Sequence, residues 1–258
     1  MTLKKINFLV VLFWFTGFVQ AQQSEIYTND LVDYQKALLL FNNQQYQAAQ
    51  VLFESVKEDV SNGLIAADCA YYIANCAVRL NQQNAEDLVL AFVDTYPTST
   101  KRNTAVLDVA NFYFSNGKYA YARKWYDRVD DSNMNRTALE KFHFNYGYAL
   151  YITGDQQNAT SFFNRVITSK TYGSQAKYYI GFMAYQGDDY DKANTFFDQV
   201  NSEENYKDKL SYYQADLNFK LGKFEKAIAL ATAQLDNSST QEKSQLSKII
   251  GESYFNLE

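Results

Sequence analysis

A small residue, alanine or glycine, recurs along the chain at intervals of 34 to 37 residues, and this spacing limits the possible folds more than any other feature. The seven positions, which we call the markers, are Ala37, Ala74, Ala110, Gly147, Gly181, Ala215 and Gly251. A second alanine follows eleven or twelve residues after each of the first six markers, at Ala49, Ala85, Ala122, Ala159, Ala193 and Ala227. Self-similarity at a fixed period of this length is typical of proteins built from stacked repeats.

Each repeat predicts two amphipathic helices joined by a tight turn. In the sixth repeat, apolar residues recur at three- and four-residue steps, which is helical periodicity; they are Leu210, Tyr213, Leu217, Leu221, Phe224, Ala227, Ile228 and Leu235. Gly117, Gly154 and Gly222 lie between the two helical segments, where glycine can adopt a positive φ without penalty. The chain has 1 Pro and 10 Gly, which favours helices over an all-β sandwich with its frequent turns.

Aromatic residues three before and four after the second alanine complete a pattern that resembles the tetratricopeptide repeat family. The best matches in order and spacing are Val109, Ala110, Tyr113, Gly117, Tyr119, Ala122 and Tyr126, and then Ile180, Gly181, Tyr190, Ala193 and Phe197. The resemblance covers residues 30–258 and implies an all-α, right-handed α-solenoid of six full repeats plus the first helix of a seventh. The second repeat departs from the pattern, because it is one residue short and lacks both aromatics around Ala85.

The seventh repeat begins at Ile250 and Gly251, and the sequence ends at Glu258 within its first helix. A solenoid normally closes with a polar capping element, because an open end exposes apolar surface. We therefore expect that the chain continues past Glu258 into further repeats or a catalytic domain, or that a partner covers this end.

The first 21 residues have the three-part pattern of a secretory signal peptide. Two lysines precede an apolar run over residues 6–18, and a small-residue cleavage site ends at Ala21. The run is shorter than the ~20 residues of a transmembrane helix, although an uncleaved anchor is the alternative. The sequence thus predicts an exported protein, periplasmic or outer-membrane-associated, with a signal peptide at 1–21 and the repeat solenoid at 22–258.

Composition and motifs exclude several function classes. The net charge is −5, which argues against nucleic-acid binding. One histidine, His143, and two cysteines cannot build a multi-histidine or four-cysteine metal centre, and no phosphate-binding loop or hydrolase motif is present.

Cys69 and Cys76 would lie about 10.5 Å apart on one helix, too far for a disulfide. They are predicted to be small buried thiols, the alternative being a reactive or intermolecular cysteine.

The resemblance also implies a concave groove lined by the first helix of each repeat. Residues three before, one after and four after each marker would face it. The candidates are Tyr34, Phe41, Tyr71, Asn75, Asn111, Phe114, Phe144, Tyr148, Tyr151, Tyr178, Phe182, Tyr185, Tyr212 and Phe219. Large apolar patches on a surface usually mark interaction sites. The alternative is that these aromatic side chains belong to the core.

Together these features predict a non-enzymatic protein–protein interaction scaffold of the cell envelope. It would hold an extended peptide or a helix of an envelope protein in the aromatic groove, without a cofactor, and its oligomeric state stays open. One alternative is a glycan-binding envelope protein, in which the aromatic rings serve as sugar platforms. Another is the regulatory repeat arm of an enzyme whose catalytic domain lies beyond residue 258.

Overall fold

A computed structural model describes residues 31–236 and 238–258, and the regular secondary structure in these residues is entirely helical. In chain order the helices are α1 (31–42), α2 (Tyr46–Asp59), α3 (Gly63–Arg79), α4 (Ala85–Thr95), α5 (Arg102–Ser115), α6 (Tyr119–Tyr126), α7 (Arg136–Ile152), α8 (Gln156–Arg165), α9 (Gly173–Gln186), α10 (Tyr190–Asp198), α11 (Glu204–Lys220), α12 (Phe224–Leu235) and α13 (Thr240–Leu257). The predicted signal peptide lies outside the described residues.

The chain divides into two compact units, of which the first ends at Asp130 and the second begins at Asp131. The described part of the N-terminal unit contains three helix pairs, α1–α2, α3–α4 and α5–α6. The C-terminal unit contains the pairs α7–α8, α9–α10 and α11–α12, followed by α13. The prediction of an all-α fold with six helix pairs and the first helix of a seventh is therefore confirmed.

The small residues lie where the two helices of a pair pack against each other. The first six markers are all buried, and every second alanine is at most 3% exposed. At two pairs the approach is close at a glycine marker, tight at Gly147 and too close for a Cβ atom without a shift at Gly181. A Cβ atom added at Gly147 would lie 3.2 Å from the ring of Phe163, and one added at Gly181 would lie 2.7 Å from the ring of Phe197. The aromatic residue four positions after the second alanine thus packs directly onto the marker of its own pair.

The turn between the two helices has the same backbone geometry in all six pairs. The residue seven positions after the marker has a positive φ, at Gln44, Asn81, Gly117, Gly154, Asp188 and Gly222. The amide of the next residue donates to a carbonyl five positions back, as Lys118 does to Tyr113 at 2.9 Å. This pair of features is the Schellman motif, which satisfies carbonyl groups at the end of a helix. Glycine was predicted at three of these turns, and the other three use larger residues.

Gln44→Gly is expected to raise the free energy of unfolding by about 0.5–1 kcal/mol, because a left-handed conformation is costly for a residue with a Cβ atom. Urea denaturation of both proteins measures the difference. The neighbouring Gln45 has a φ of −83° and serves as the matched control. Gln45→Gly is expected to lower stability, so a change of the same sign in both variants would contradict the strain argument.

The second repeat folds as a helix pair despite its shorter sequence. Its turn residue Asn81 has the same positive φ as the others, and α4 follows at Ala85. Val89, which is fully buried, takes the place of the missing aromatic residue after the second alanine. Phe92, one turn later, is 2% exposed and contacts the ring of Tyr71 at 5.9 Å. The bulk that the pattern lacks at one position is therefore supplied three residues further along α4.

Cys69 and Cys76 both lie on α3, fully buried and unpaired. Burial raises the pKa of each thiol to about 12. Because the thiolate is the reactive form, both side chains stay protonated and inert at physiological pH. The prediction of two small buried thiols is confirmed.

Candidate interaction surface

The candidate groove residues lie on the first helices of the pairs, six on α1, α3 and α5 and eight on α7, α9 and α11. None is fully exposed. Tyr71, Asn75 and Phe144 are buried, at 7%, 1% and 8% exposure, and contribute little surface to any partner. The other eleven are half-buried, so part of each side chain packs against the protein and part is open to solvent.

In the C-terminal unit the half-buried aromatic residues form a run that we call the C-terminal stripe, made of Tyr148, Tyr151, Tyr178, Phe182, Tyr185 and Tyr212. The ring of Phe182 lies nearly parallel to those of Tyr178 and Tyr185, with centroids 6.0 and 6.4 Å away. On α7, the rings of Tyr148 and Tyr151 are 6.3 Å apart. Offset contacts at these distances are favourable between aromatic rings, so each ring helps to hold the next in place.

Three further tyrosines, Tyr72, Tyr179 and Tyr213, connect successive first helices. The sequence pattern placed Tyr213 on the apolar face of its helix but identified none of the three as a contact between repeats. Tyr179 contacts Tyr148 and Tyr151 of the preceding repeat at 5.2 and 5.3 Å. Tyr72 and Tyr213 occupy the same position two residues before the marker and make similar contacts to the preceding repeat. Each is the second residue of a Tyr-Tyr doublet, and this doublet is the sequence signal that could have identified them.

Hydrogen bonds between tyrosine hydroxyls and aspartates also link first helices of neighbouring repeats. The Tyr34 hydroxyl donates to Asp68 at 2.9 Å, and the Tyr185 hydroxyl donates to Asp216 at 2.5 Å. The Tyr71 hydroxyl donates to Asp108 in the same way. These hydroxyls are used inside the protein, so a ligand at these positions meets the faces and edges of the rings.

Burial is the main cause of the pKa shifts in this network. It raises the pKa of the hydroxyls of Tyr71 and Tyr185 above the usual range, with the neighbouring aspartates adding to the effect. Burial also raises the pKa of Asp108, although the hydrogen bond from Tyr71 acts in the opposite direction. The tyrosines therefore remain neutral donors at physiological pH.

In each unit, a basic side chain at the same position within a repeat lies over two aromatic rings. The guanidinium of Arg79 is 5.0 Å from the centroid of Phe41 and also donates to the Asn75 side chain at 2.7 Å. The ammonium of Lys220 is 4.8 Å from the centroid of Tyr185 and 3.1 Å from Asp216. Both residues lie five positions after a marker, outside the positions predicted to face the groove. Cation–π contacts of this kind hold the charge close to the aromatic surface.

His143 is buried and has a packing and hydrogen-bonding role. Its Nε2 atom lies 3.0 Å from an oxygen of Asp131 and 3.3 Å from a nitrogen of Arg165, and its ring packs beside Phe142 and Phe162. These contacts give the single histidine of the chain a structural role. Over the residues that the structure describes, no group of three or more histidine, cysteine or acidic side chains could hold a metal ion. In the same part of the chain, every helix is too short or too polar to cross a membrane.

No protein-family model matches the chain, and no curated protein matches it in sequence. Solved structures do match. The C-terminal part of a TPR repeat-containing protein from Cytophaga hutchinsonii matches with a TM-score of 0.60 at 16% identity, over 98% of this chain and 100% of that one. A tetratricopeptide repeat protein from Parabacteroides merdae matches with a TM-score of 0.53 at 15% identity, over 88% of this chain and 87% of that one.

MamA from AMB-1 matches with a TM-score of 0.52 at 17% identity, over 69% of this chain and 92% of that one. Identities this low establish the fold alone. The pairing of helices, the buried small residues and the repeated turn agree with these matches. The chain has the tetratricopeptide repeat fold.

Proposed function

We propose that this chain is a non-enzymatic interaction scaffold that binds a segment of a partner protein along the C-terminal stripe. The observation that carries the proposal is the run of half-buried aromatic side chains on three successive first helices of one compact unit. A surface of this kind is large, apolar and repeated, which suits an extended segment or a helix better than a small molecule.

The C-terminal stripe is preorganised, because neighbouring side chains already hold its aromatic rings in place. Phe182 packs edge-on against Tyr213 at 5.2 Å, and Tyr178 stacks on Tyr206 at 5.3 Å. A side chain that is ordered before binding loses little conformational entropy when the partner arrives. Tyrosine also provides a broad rigid contact area, and it is enriched among the residues that dominate binding energy.

The charges beside the stripe point to an apolar partner segment. Asp216 and Lys220 lie 3.1 Å apart and compensate each other, and Asp216 also accepts the bond from Tyr185. The exposed surface of the stripe beside this ion pair is therefore made of aromatic rings and carries little net charge. A partner would place aliphatic, proline or aromatic side chains on the stripe and keep its polar groups at the edges.

The proposed location is the cell envelope, periplasmic or outer-membrane-associated. Its support is the signal-peptide pattern of the first 21 residues, with two lysines, an apolar run and Ala21 at the cleavage site. The proposed partner is accordingly an envelope protein or a segment of one.

Site-specific photo-cross-linking tests the stripe directly. Phe182 is replaced by p-benzoylphenylalanine in the full chain, which keeps an aromatic ring at the site, and cells are irradiated. In the matched control, p-benzoylphenylalanine replaces Tyr121. This residue is 54% exposed and lies on α6, the second helix of the third pair. We expect a discrete cross-linked protein from position 182 and none from position 121.

The same product from both positions would indicate non-specific contact and contradict the proposal. Absence of any product from position 182, with the chain present at normal levels, would also contradict it. Fractionation of the same cells tests the location, since a product found only in the cytoplasm would contradict the envelope proposal while leaving the stripe proposal intact.

A further inference from the structure

The connection between the two helices of the second pair differs from the other five connections. In those five, the second helix begins two residues after the left-handed turn residue, as α6 begins at Tyr119 after Gly117. In the second pair, α4 begins four residues after Asn81, at the second alanine Ala85 itself. The other second helices begin three residues before their second alanine. Residues 82–84 therefore form a polar link where a turn of helix stands in the other pairs.

A cavity of about 590 Å³ lies beside this link, inside the N-terminal unit. The link and the start of α4 form one wall, and residues of α5, α6 and the turn between them form the other. The volume is within the range of small-molecule binding sites. Both walls come from complete repeats, the second and the third, so an irregular connection between two regular helix pairs creates the cavity.

Two tyrosines give the cavity an aromatic surface. Tyr121 is 54% exposed, and its ring contacts that of Tyr113, with centroids 5.3 Å apart and planes tilted by 32°. Burial, together with the nearby carboxylate of Glu86, raises the pKa of Tyr113, so its hydroxyl stays neutral at physiological pH. The cavity therefore presents one ring that is held by a neighbour and is largely open to solvent.

Polar and charged groups surround these rings. The ammonium of Lys118 donates to the side-chain oxygen of Asn81 at 3.1 Å and lies 5.8 Å from the centroid of Tyr113. Glu86 accepts from Lys124 at 2.5 Å, so these two charges compensate each other. Within the described part of the chain, no carboxylate lies within 4 Å of the Lys118 ammonium. One positive charge is thus left uncompensated at the cavity.

This combination of groups favours a saccharide over an apolar segment. The negative face of an aromatic ring attracts the C–H groups of a pyranose ring, while the hydroxyl groups around the sugar need hydrogen-bond partners. Gln83 has an exposed amide that makes no hydrogen bond to the residues described, and Lys118 has further N–H groups to donate. An apolar ligand would take these groups out of water without replacing their hydrogen bonds. A carboxylate on the sugar would pair with Lys118.

We propose that the cavity between the second and third repeats binds a short acidic saccharide. One sugar ring packs on Tyr121, a sugar carboxylate binds Lys118, and the amides of Asn81 and Gln83 bind hydroxyl groups. The site belongs to the N-terminal unit, and it does not depend on the function proposed for the C-terminal stripe.

The probe is a printed array of uronic acid oligosaccharides, each paired with its carboxyl-reduced, neutral counterpart. The labelled full chain should bind at least one acidic member. Titration calorimetry with that member and its counterpart then measures the contribution of the carboxylate. We expect the neutral counterpart to bind at least tenfold more weakly.

Two substitutions separate the ring from the charge. Tyr121→Ala should lower the affinity for both saccharides at least tenfold, whereas Lys118→Gln should remove the preference for the acidic one. Both side chains are exposed, and the Lys118 side chain makes no capping hydrogen bond, so the unfolding midpoint should change little. The matched controls are Tyr254→Ala, at a tyrosine that is 57% exposed, and Lys223→Gln, which also follows a turn glycine. Neither control should change the affinity.

Four results would overturn the proposal. The first is that the chain binds no acidic member of the array. The second is that the parent chain binds the acidic and the neutral saccharide equally well. The third is an unchanged affinity in Tyr121→Ala or an unchanged acidic preference in Lys118→Gln. The fourth is that a hexaglutamate peptide competes as effectively as the saccharide, since charge alone would then explain the binding.

Discussion

Phe197→Ala is expected to lower the free energy of unfolding of the C-terminal unit by about 3–5 kcal/mol, the usual cost of deleting a fully buried phenylalanine ring. Phe197 has no exposed surface, and it packs in a cluster with Ala193, Leu210 and Leu217. Helices α9 and α10 meet around this ring at Gly181, so the cavity cannot close by a side-chain movement alone. Urea denaturation followed by circular dichroism measures the change.

Phe196→Ala is the matched control, because it removes the same atoms from the neighbouring half-buried position. We expect a clearly smaller loss, since the Phe196 ring is already partly in water. Equal losses in the two variants would contradict the assignment of Phe197 as the central ring of this helix pair.

Gly181→Ala is expected to lower the free energy of unfolding by about 1–3 kcal/mol, a typical cost of overpacking. Alanine normally stabilises a helix relative to glycine by about 1 kcal/mol, so a loss of stability in Gly181→Ala would indicate overpacking. The new Cβ atom would lie 2.7 Å from two ring carbons of Phe197, and the helices must separate to accept it. Denaturant unfolding of the variant and the parent chain measures the difference.

The double variant Gly181→Ala with Phe197→Ala tests the cause. When the ring is absent, the nearest remaining atom is the Cβ of Phe196 at 3.1 Å, so Gly181→Ala should cost much less in the Phe197→Ala background than in the parent chain. Losses that simply add would show that the ring is not what requires glycine at position 181. At Gly251 no described residue lies within 4 Å of an added Cβ atom, so Gly251→Ala is expected to raise stability by up to about 1 kcal/mol, the opposite sign.

Helix positions could be predicted because they depend on spacing within one short stretch of chain. Each marker and its second alanine lie on the two helices of one pair, eleven or twelve residues apart. Their burial follows from helical periodicity. Only three of the six left-handed turn residues, the glycines, could be predicted from the sequence. Gly117 is recognisable as a left-handed residue, whereas Gln44 and Asp188 adopt the same conformation because the closing hydrogen bonds and the packing of the pair impose it.

The interaction surface was less accessible to sequence reasoning. The stripe residues follow from helix geometry, but their half-burial depends on Tyr179 and Tyr213, which come from neighbouring repeats. The bond from Tyr185 to Asp216 joins residues 31 positions apart in sequence. Contacts at that separation depend on how one pair stacks on the next, which no local pattern encodes.

The helices, their pairing and the face on which the aromatic residues lie follow from local sequence, because they depend on residues a few turns apart. Which of those residues are open to solvent depends on how each repeat packs on the next. Tyr71 and Tyr178 occupy the same position in the repeat pattern, yet Tyr71 is buried at 7% exposure and Tyr178 is half-buried. Exposure depends on what packs on a helix, whereas the helix's own sequence specifies only the surface that it offers.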